Sequence, residues 1–357
     1  MRNSLCGGEG SFSYFCQKTK EIAMKKLLSI LTAVVLCVAM LGAVACKEPE
    51  KGKVNVKYYA TPNDIVPLLL AGNETIGLIP EPAATALTNN AKKQGKSIYR
   101  LDLQELYDSQ EKAYPQAVLM VKKSVLGSFV NLAGKLEERI TNSVTWAKQN
   151  KELAVTAISN HGTTTLKAPA LSESVIDSCK IYWQGASDAQ KSVKEYVNGI
   201  IEIDSTKANQ VQDDFFYTSS SLTTSKQEYT FIAPDGAPAL AISKLMNDAD
   251  DLGTGKSVSY SVVTSDLISS KLAKGEAEFV LAPINLASKL YKAHDNFDHY
   301  VMVAVVTHGN FYIMSTEPLT VDDLIDKRVA VPMMGAVPDW TFQMALKKHN
   351  ISIAVVE

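Results

Sequence analysis

The sequence predicts an α/β protein with largely parallel sheets. Three observations carry that expectation: short β-rich apolar runs alternate with helical patterns over residues 54–103, the alternation restarts at residue 229, and a helix-rich stretch separates the two. With 357 residues, 46% of them hydrophobic and 21% charged, the chain has enough apolar side chain for one or two cores.

In chain order, residues 54–59 read as a strand, 62–70 as a helix opened by Pro62, 76–79 as a strand, 83–93 as a helix and 98–103 as a strand. From about residue 124 to 216 longer amphipathic helices dominate, over 125–149, 171–181 and 189–200. The polar stretch 218–228, rich in Ser and Thr, has the composition of a linker. Beyond it follow a strand at 229–233, a helix at 238–246, a strand at 257–263, a helix at 266–272, a strand at 278–282 and a helix at 285–293. The apolar runs 300–306 and 311–314 suggest extended crossing segments; 329–331 and 338–348 form another strand and helix, and 351–357 a last strand.

A net charge of −2, from 36 basic and 38 acidic residues spread along the chain, offers no basic field for nucleic acid. At the N-terminus, Lys25 and Lys26 precede an apolar run that closes on Ala43-Val44-Ala45, the layout of a signal peptide over 24–45. A retained membrane span is the alternative, since about 20 apolar residues cross a bilayer, but small residues and a cysteine before a polar tether suit a peptidase better. Residues 1–23 fit no targeting pattern and read as a leader from a misassigned start. Three of the five cysteines, Cys6, Cys16 and Cys37, fall before the cleavage point; Cys179 stands alone as a small buried apolar residue, so neither a disulfide framework nor a metal-ligand cluster is expected.

Ala43-Val44-Ala45-Cys46 resembles the bacterial lipobox, with Ala43 where Leu is usual. The resemblance implies that Cys46 is diacylated and becomes the mature N-terminus, that 46–52 is a tether, and that the chain stays on the outer face of the cytoplasmic membrane or in the periplasm. The segments FIAPDGAPALA (231–241), FVLAPINLASKLY (279–291), THGN (307–310), LIDKRVAV (324–331) and MGAVPD (334–339) resemble the opening half of type II periplasmic solute-binding proteins, closest to the alkanesulfonate and thiamine-precursor binding group. YYATPNDIVP (58–67) and GLIPEPAA (77–84) resemble the later half of that family, yet come first. This order implies a circular permutation of the two-lobe type II fold, with a mainly parallel sheet in each lobe. One lobe would comprise 53–116 plus 316–357, the other 117–315 including the linker 218–228, with 118–121 and 311–314 as hinge strands.

The family places ligand at strand C-termini and helix N-termini facing the cleft, which carries the role onto particular residues here. These are Asp235, Gly236 and Ala237; Met334, Gly335 and Ala336; and Thr61 and Asn63, all in loops that combine a flexible or capping residue with Pro at the helix start. Glu81 offers a carboxylate beside a rigid turn; Pro283, Asn285, Thr307, His308 and Asn310 offer polar partners near strand ends. Each loop alone also reads as an ordinary strand-to-helix turn, and Tyr58, Tyr59 and Trp340 as core aromatics or stacking rings. The expected partners are a small organic molecule and ABC permease subunits, with no cofactor, no metal and a monomeric state. An enzyme resembling thiamine-pyrimidine synthases is the alternative from another class, but the cysteine-rich metal segment of those enzymes has no counterpart here, and no nucleophile elbow, zinc-type His pair or phosphate loop occurs. A sensing or interaction lipoprotein is the third reading.

Overall fold

Alternating strands and helices form two six-stranded sheets in the computed structural model, which describes residues 49–127, 131–218, 228–293 and 300–357. The expected signal peptide, Cys46 and positions 219–227 of the linker lie outside the described residues. All elements below belong to the unit Glu50–Glu357.

The first sheet draws on both ends of that unit. Its strands are β1 (Gly52–Tyr59), β2 (Ile76–Pro80), β3 (Tyr99–Asp102), β10 (Phe311–Ser315), β11 (Arg328–Pro332) and β12 (Ile351–Val355), in the order β12-β1-β11-β2-β10-β3. β1 runs parallel to β11 on one side and to β12 on the other, and only β10 is antiparallel to its neighbours. Val54 and Val56 alternate into the core, as a strand with one buried face requires. Pairing starts earlier than the tether expected at 46–52 allows: the Lys51 amide donates to the Asn350 carbonyl at 2.7 Å, and Gly52 pairs with Ile351. Because Val56 lies opposite Val355, the C-terminal end of β12 sits beside β1 rather than leading into it.

The helices of this half are α1 (Pro62–Ala71), α2 (Ala83–Lys93), α3 (Leu103–Tyr107) and α13 (Val337–Lys348). At the start of α1 the Asp64 carboxylate reaches back to Thr61, accepting from its amide and hydroxyl at 2.8 and 2.9 Å. Ile65 and Leu69 then bury one stripe of α1.

The second sheet comprises β4 (Pro115–Lys122), β5 (Ile181–Gly185), β6 (Glu228–Ala233), β7 (Ser257–Val262), β8 (Phe279–Pro283) and β9 (Tyr300–His308), in the order β5-β9-β4-β8-β6-β7. Here the expectation of a mainly parallel sheet fails: β6 is parallel to β7 and β8, but β4 is antiparallel to β8 and β9, and β5 to β9. The reason is burial. All nine residues of β9 are buried, so it reads as the unbroken apolar run that parallel strands usually give, and periodicity does not report direction.

Its helices are α4 (Lys123–Leu126), α5 (Leu132–Gln149), α6 (Lys151–Asn160), α7 (Glu173–Ser178), α8 (Ala186–Ile203), α9 (Ala237–Ala241), α10 (Ser243–Asp248), α11 (Ser265–Lys274) and α12 (Ile284–Leu290). Two expected helices are corrected. The stretch 171–181 holds only the short α7, because Lys180 adopts φ +52 and Ile181 opens an edge strand. The stretch 238–246 divides at Ile242, which leaves the helical region with φ −117 and ψ 14.

Both sheets share one apolar cluster that runs from Val54 and Val56 through Tyr196 of α8 and Phe342 of α13 to Val118 and Met120. The buried Tyr196 hydroxyl pairs with Thr341 Oγ1 at 2.7 Å, so α8 and α13 tie the two halves together. The crossings are not the expected hinge strands. Residues 118–121 lie in the middle of β4, paired on both sides, and the chain passes between sheets at 103–114 and at Gly309-Asn310.

Candidate functional site

The ends of β8 and β9 meet the start of β4 at one rim of the second sheet. Ala117 pairs with both Pro283 and Thr307, and Pro115 with His308. Gln116 is the extra residue of a bulge at that rim, a device that re-aims a side chain. The two crossings touch here as well: the Gly309 amide donates to the Tyr114 carbonyl at 2.9 Å, the Glu81 amide to the Asn310 carbonyl at 3.0 Å, and the Phe311 amide to Gln104 Oε1 at 2.9 Å. A Cβ at Gly309 would overlap the Tyr114 ring, so this close approach requires glycine.

Asn285 bridges to the first sheet by donating from Nδ2 to the Gly335 carbonyl at 3.2 Å. That carbonyl also accepts from Trp340 Nε1 at 2.8 Å, while the Gly335 amide donates to Asp339 Oδ2 at 2.8 Å. Asp339, 2% exposed, takes two more bonds on Oδ1, from the Tyr58 hydroxyl and Gln343 Nε2, each at 2.8 Å. Burial, then the Asp339 carboxylate, drives the Tyr58 phenol well above its ordinary range. Tyr58 and Trp340 therefore hold the 333–336 loop, and Tyr59 donates to Glu74 at 2.8 Å. Met334 stands 71% exposed on that loop, and Ala336 donates its amide to the Met333 carbonyl.

Other sequence-predicted residues are engaged elsewhere. Glu81 was expected beside a ligand cation, but its fully buried side chain accepts from Arg100 Nη1 at 2.8 Å, Thr85 Oγ1 at 2.9 Å and the Thr85 amide at 3.0 Å. Its charge is spent on that pair and on the first turn of α2. Asp235 binds the 164–165 segment, accepting from Thr164 Oγ1 at 2.6 Å and from the Thr165 amide and hydroxyl at 2.7 and 2.8 Å. Gly236 has φ +94 and caps α9, which starts at Ala237. Thr61 is spent on its cap, and Asn63 is exposed.

Among the described residues, six buried side-chain atoms lack a hydrogen-bond partner: Tyr114 Oη, Gln116 Oε1, Asn285 Oδ1, Thr307 Oγ1, His308 Nδ1 and Asn310 Oδ1. All belong to the crossing, the rim it joins, or the first turn of α12. Buried polar atoms are normally paired in about nine cases of ten, so this concentration is a place for ordered water or a bound molecule. Asn285 and Asn310 each donate from Nδ2 to a backbone carbonyl, which leaves their free oxygens as acceptors. The sequence reading missed Gln116 and Tyr114; the signal was a polar residue interrupting the apolar run 113–121.

A cavity of about 880 Å³ opens beside the crossing, along β5, α8 and the end of α13. Of the residues expected to bind ligand, only His308 lines it. The His308 ring stacks on Tyr182 with centroids 3.6 Å apart and planes 3° from parallel, and its Nε2 lies 3.3 Å from Gln184 Oε1. Burial pushes its pKa down to about 4, an effect the Lys180 carbonyl only partly offsets. Cys179 is fully buried, and burial pushes its thiol far up, so it is an inert core residue. Among the described residues no helix is long and apolar enough to cross a membrane, and no three His, Cys, Asp or Glu side chains are grouped to hold a metal ion.

No protein-family model matches the chain, and no curated protein matches it. Among solved structures it is similar to NikA from Brucella suis in complex with Fe(III)-EDTA, at 11% identity and a TM-score of 0.31, over 72% of this chain and 57% of that one. NikZ from Campylobacter jejuni in complex with Ni(L-His) gives 11% identity and 0.30, over 78% and 59%. A periplasmic oligopeptide-binding protein of an ABC transporter from Thermotoga maritima gives 10% and 0.29, over 71% and 54%. The chain thus spans little more than half the length of these proteins.

Proposed function

We propose that this chain is an extracytoplasmic solute-binding protein, anchored by lipid at Cys46, that passes a small organic molecule to the permease of an ABC importer and performs no catalysis. On this reading it works as a monomer with two lobes in a circularly permuted type II arrangement, divided as the sequence suggests except that β10 (Phe311–Ser315), which pairs with β2 and β3, goes with the lobe built from both chain ends. The pairing of β1 with both β11 and β12 supports that division, since both chain ends contribute to one sheet.

The observation that carries the reading is the set of unpaired buried atoms at the rim, above all Asn285 Oδ1, Thr307 Oγ1 and Asn310 Oδ1. A fold that served only as a scaffold would gain by pairing them or replacing them with apolar groups, because an unmet buried polar group costs about 1–3 kcal/mol. The two amide oxygens only accept, and the Thr307 hydroxyl both accepts and donates, so a solute rich in N–H or O–H donors, such as an amino-substituted pyrimidine, fits the rim better than sulfonates or nitrate.

A thermal-shift screen of the purified protein against amino-pyrimidines, alkanesulfonates and nitrate tests this. A bound solute at about 100 times its Kd stabilises the fold by about 2.7 kcal/mol, and Asn285→Ala should abolish the shift. No shift with any of these solutes would remove the main support for transport.

A further inference from the structure

We propose that the cavity beside the crossing, floored by Tyr182 and His308 and edged by Glu111, Asp188 and Glu195, is a second binding site that takes an organic cation bearing a planar group. Its volume of about 880 Å³ lies within the range that holds a drug-sized molecule. The site goes beyond the strand-end rim, with which it shares Tyr114, Pro115 and His308.

Three independent features agree. The first is the platform: Tyr182 is 46% exposed, yet its ring is held nearly parallel to His308, so a flat, rigid aromatic face lines the cavity. Planar groups stack on such faces, and cations are drawn to them.

Charge is the second feature. The lining carries three lysines: Lys347 pairs with Glu202 at 2.9 Å, Lys191 lies 3.9 Å from Glu195, and Lys348 donates to the Tyr107 carbonyl while keeping its charge. Asp108 is also committed, to the amides of Gln110 and Glu111. Glu111 and Asp188 have no ion-pair partner among the described residues, and the five carboxylates of the lining (Asp108, Glu111, Asp188, Glu195 and Glu202) outnumber its three lysines, so negative charge is in excess. Glu111 lies near enough to Tyr182 for its charge to raise the phenol's pKa, after the larger effect of burial.

The third feature is the buried ring itself. His308 is 3% exposed, its Nε2 lies 3.3 Å from the acceptor Gln184 Oε1, and its Nδ1 has no hydrogen-bond partner. With the proton of the neutral ring on Nε2, facing Gln184 Oε1, Nδ1 is left as an acceptor without a donor. An ammonium, amidinium or guanidinium brings donors and positive charge together.

The test uses the full-length purified protein, benzamidine as a planar cation, and benzoate as an anion of the same shape, read by isothermal titration calorimetry. Benzamidine is expected to bind with a Kd on the order of 1 mM or better and benzoate not at all. Tyr182→Ala should weaken benzamidine about fivefold, as loss of a cation–π face predicts, and a Glu111→Gln, Asp188→Asn double variant should weaken it and flatten its salt dependence. Asn285→Ala should leave benzamidine binding unchanged, which separates this site from the rim. The proposal is overturned if benzamidine does not bind, if benzoate binds equally well, or if affinity survives Tyr182→Ala in a variant whose melting curve matches wild type.

Discussion

His308 makes the stability of this fold depend on pH in a window that can be isolated. The ring is buried neutral, with its pKa lowered from 6.5 to about 4, whereas in the unfolded chain it titrates near the ordinary value. As pH falls through that interval the unfolded state takes up a proton that the folded state refuses, so folding stability is fully present above about 6.5 and declines toward 4. One pKa unit is worth about 1.4 kcal/mol, so acidification from pH 7 to pH 5 should remove about 2 kcal/mol through this residue alone. Other groups titrate too, and the measurement is therefore a difference: urea unfolding of wild type and His308→Phe at several pH values. Phenylalanine keeps a ring against Tyr182 and loses the Gln184 contact, an offset that does not vary with pH. The wild-type advantage over the variant should shrink by about 2 kcal/mol between pH 7 and pH 5. Parallel curves, with a constant offset over that range, would refute the burial of a neutral ring.

Gly309→Ala should destabilise the fold by about 1–3 kcal/mol in urea unfolding, because the added methyl has nowhere to go but into the buried Tyr114 ring. Arg100→Ala strands the buried Glu81 carboxylate and should cost on the order of 3 kcal/mol, with much of it regained in an Arg100→Ala, Glu81→Gln double variant. Asp339→Ala removes the acceptor for Tyr58, Gln343 and the Gly335 amide, and should cost about 2–4 kcal/mol while making the 333–336 loop a new site of limited proteolysis. A gene reopened within 219–227 and joined from Glu357 to Glu50 should fold only if the new linker can run back along β1, at least about 20 Å from the level of Val355 to that of Glu50; circular dichroism of short- and long-linker versions reads the difference.

Element placement is legible in this sequence almost throughout, because short β-rich runs bounded by Pro and Gly leave little choice: the helix read at 83–93 is α2, and the strand read at 229–233 is β6 less its first residue. Strand direction is not legible, since β4 and β9 are buried on both faces and read as parallel strands would. At the rim, residue type was readable but partner was not. Glu81 looks like a free carboxylate beside a turn until Arg100, 19 residues later, folds back onto it. Asp235 likewise meets Thr164 and Thr165, 70 residues or more away. Asn285, Thr307, His308 and Asn310 stand out in the sequence as polar residues at the ends of apolar runs, and it is their position beside strand ends, not a role, that the sequence makes legible. Tyr182 was not, since one exposed aromatic in a short edge strand looks like any other until its stacking on His308 is known.

The ties between the sheets bear on how a solute would enter. Tyr196 is fully buried, bonded to Thr341 and stacked on Tyr114 at 5.9 Å, so it belongs to both halves at once. Pulling α8 away from α13 would expose that ring, and an aromatic side chain that buries about 200 Å² is worth about 5 kcal/mol on that count alone. The Lys347–Glu202 pair adds little, being half exposed on both sides. A wide opening of the two halves about Gly309-Asn310 is therefore costly. The 333–336 loop is cheaper to move: it carries the exposed Met334 and is held by a few hydrogen bonds centred on Asp339 and Gly335. Access to the rim by local release of that loop, through the Asn285–Gly335 contact that closes it, asks for far less free energy than separating the sheets.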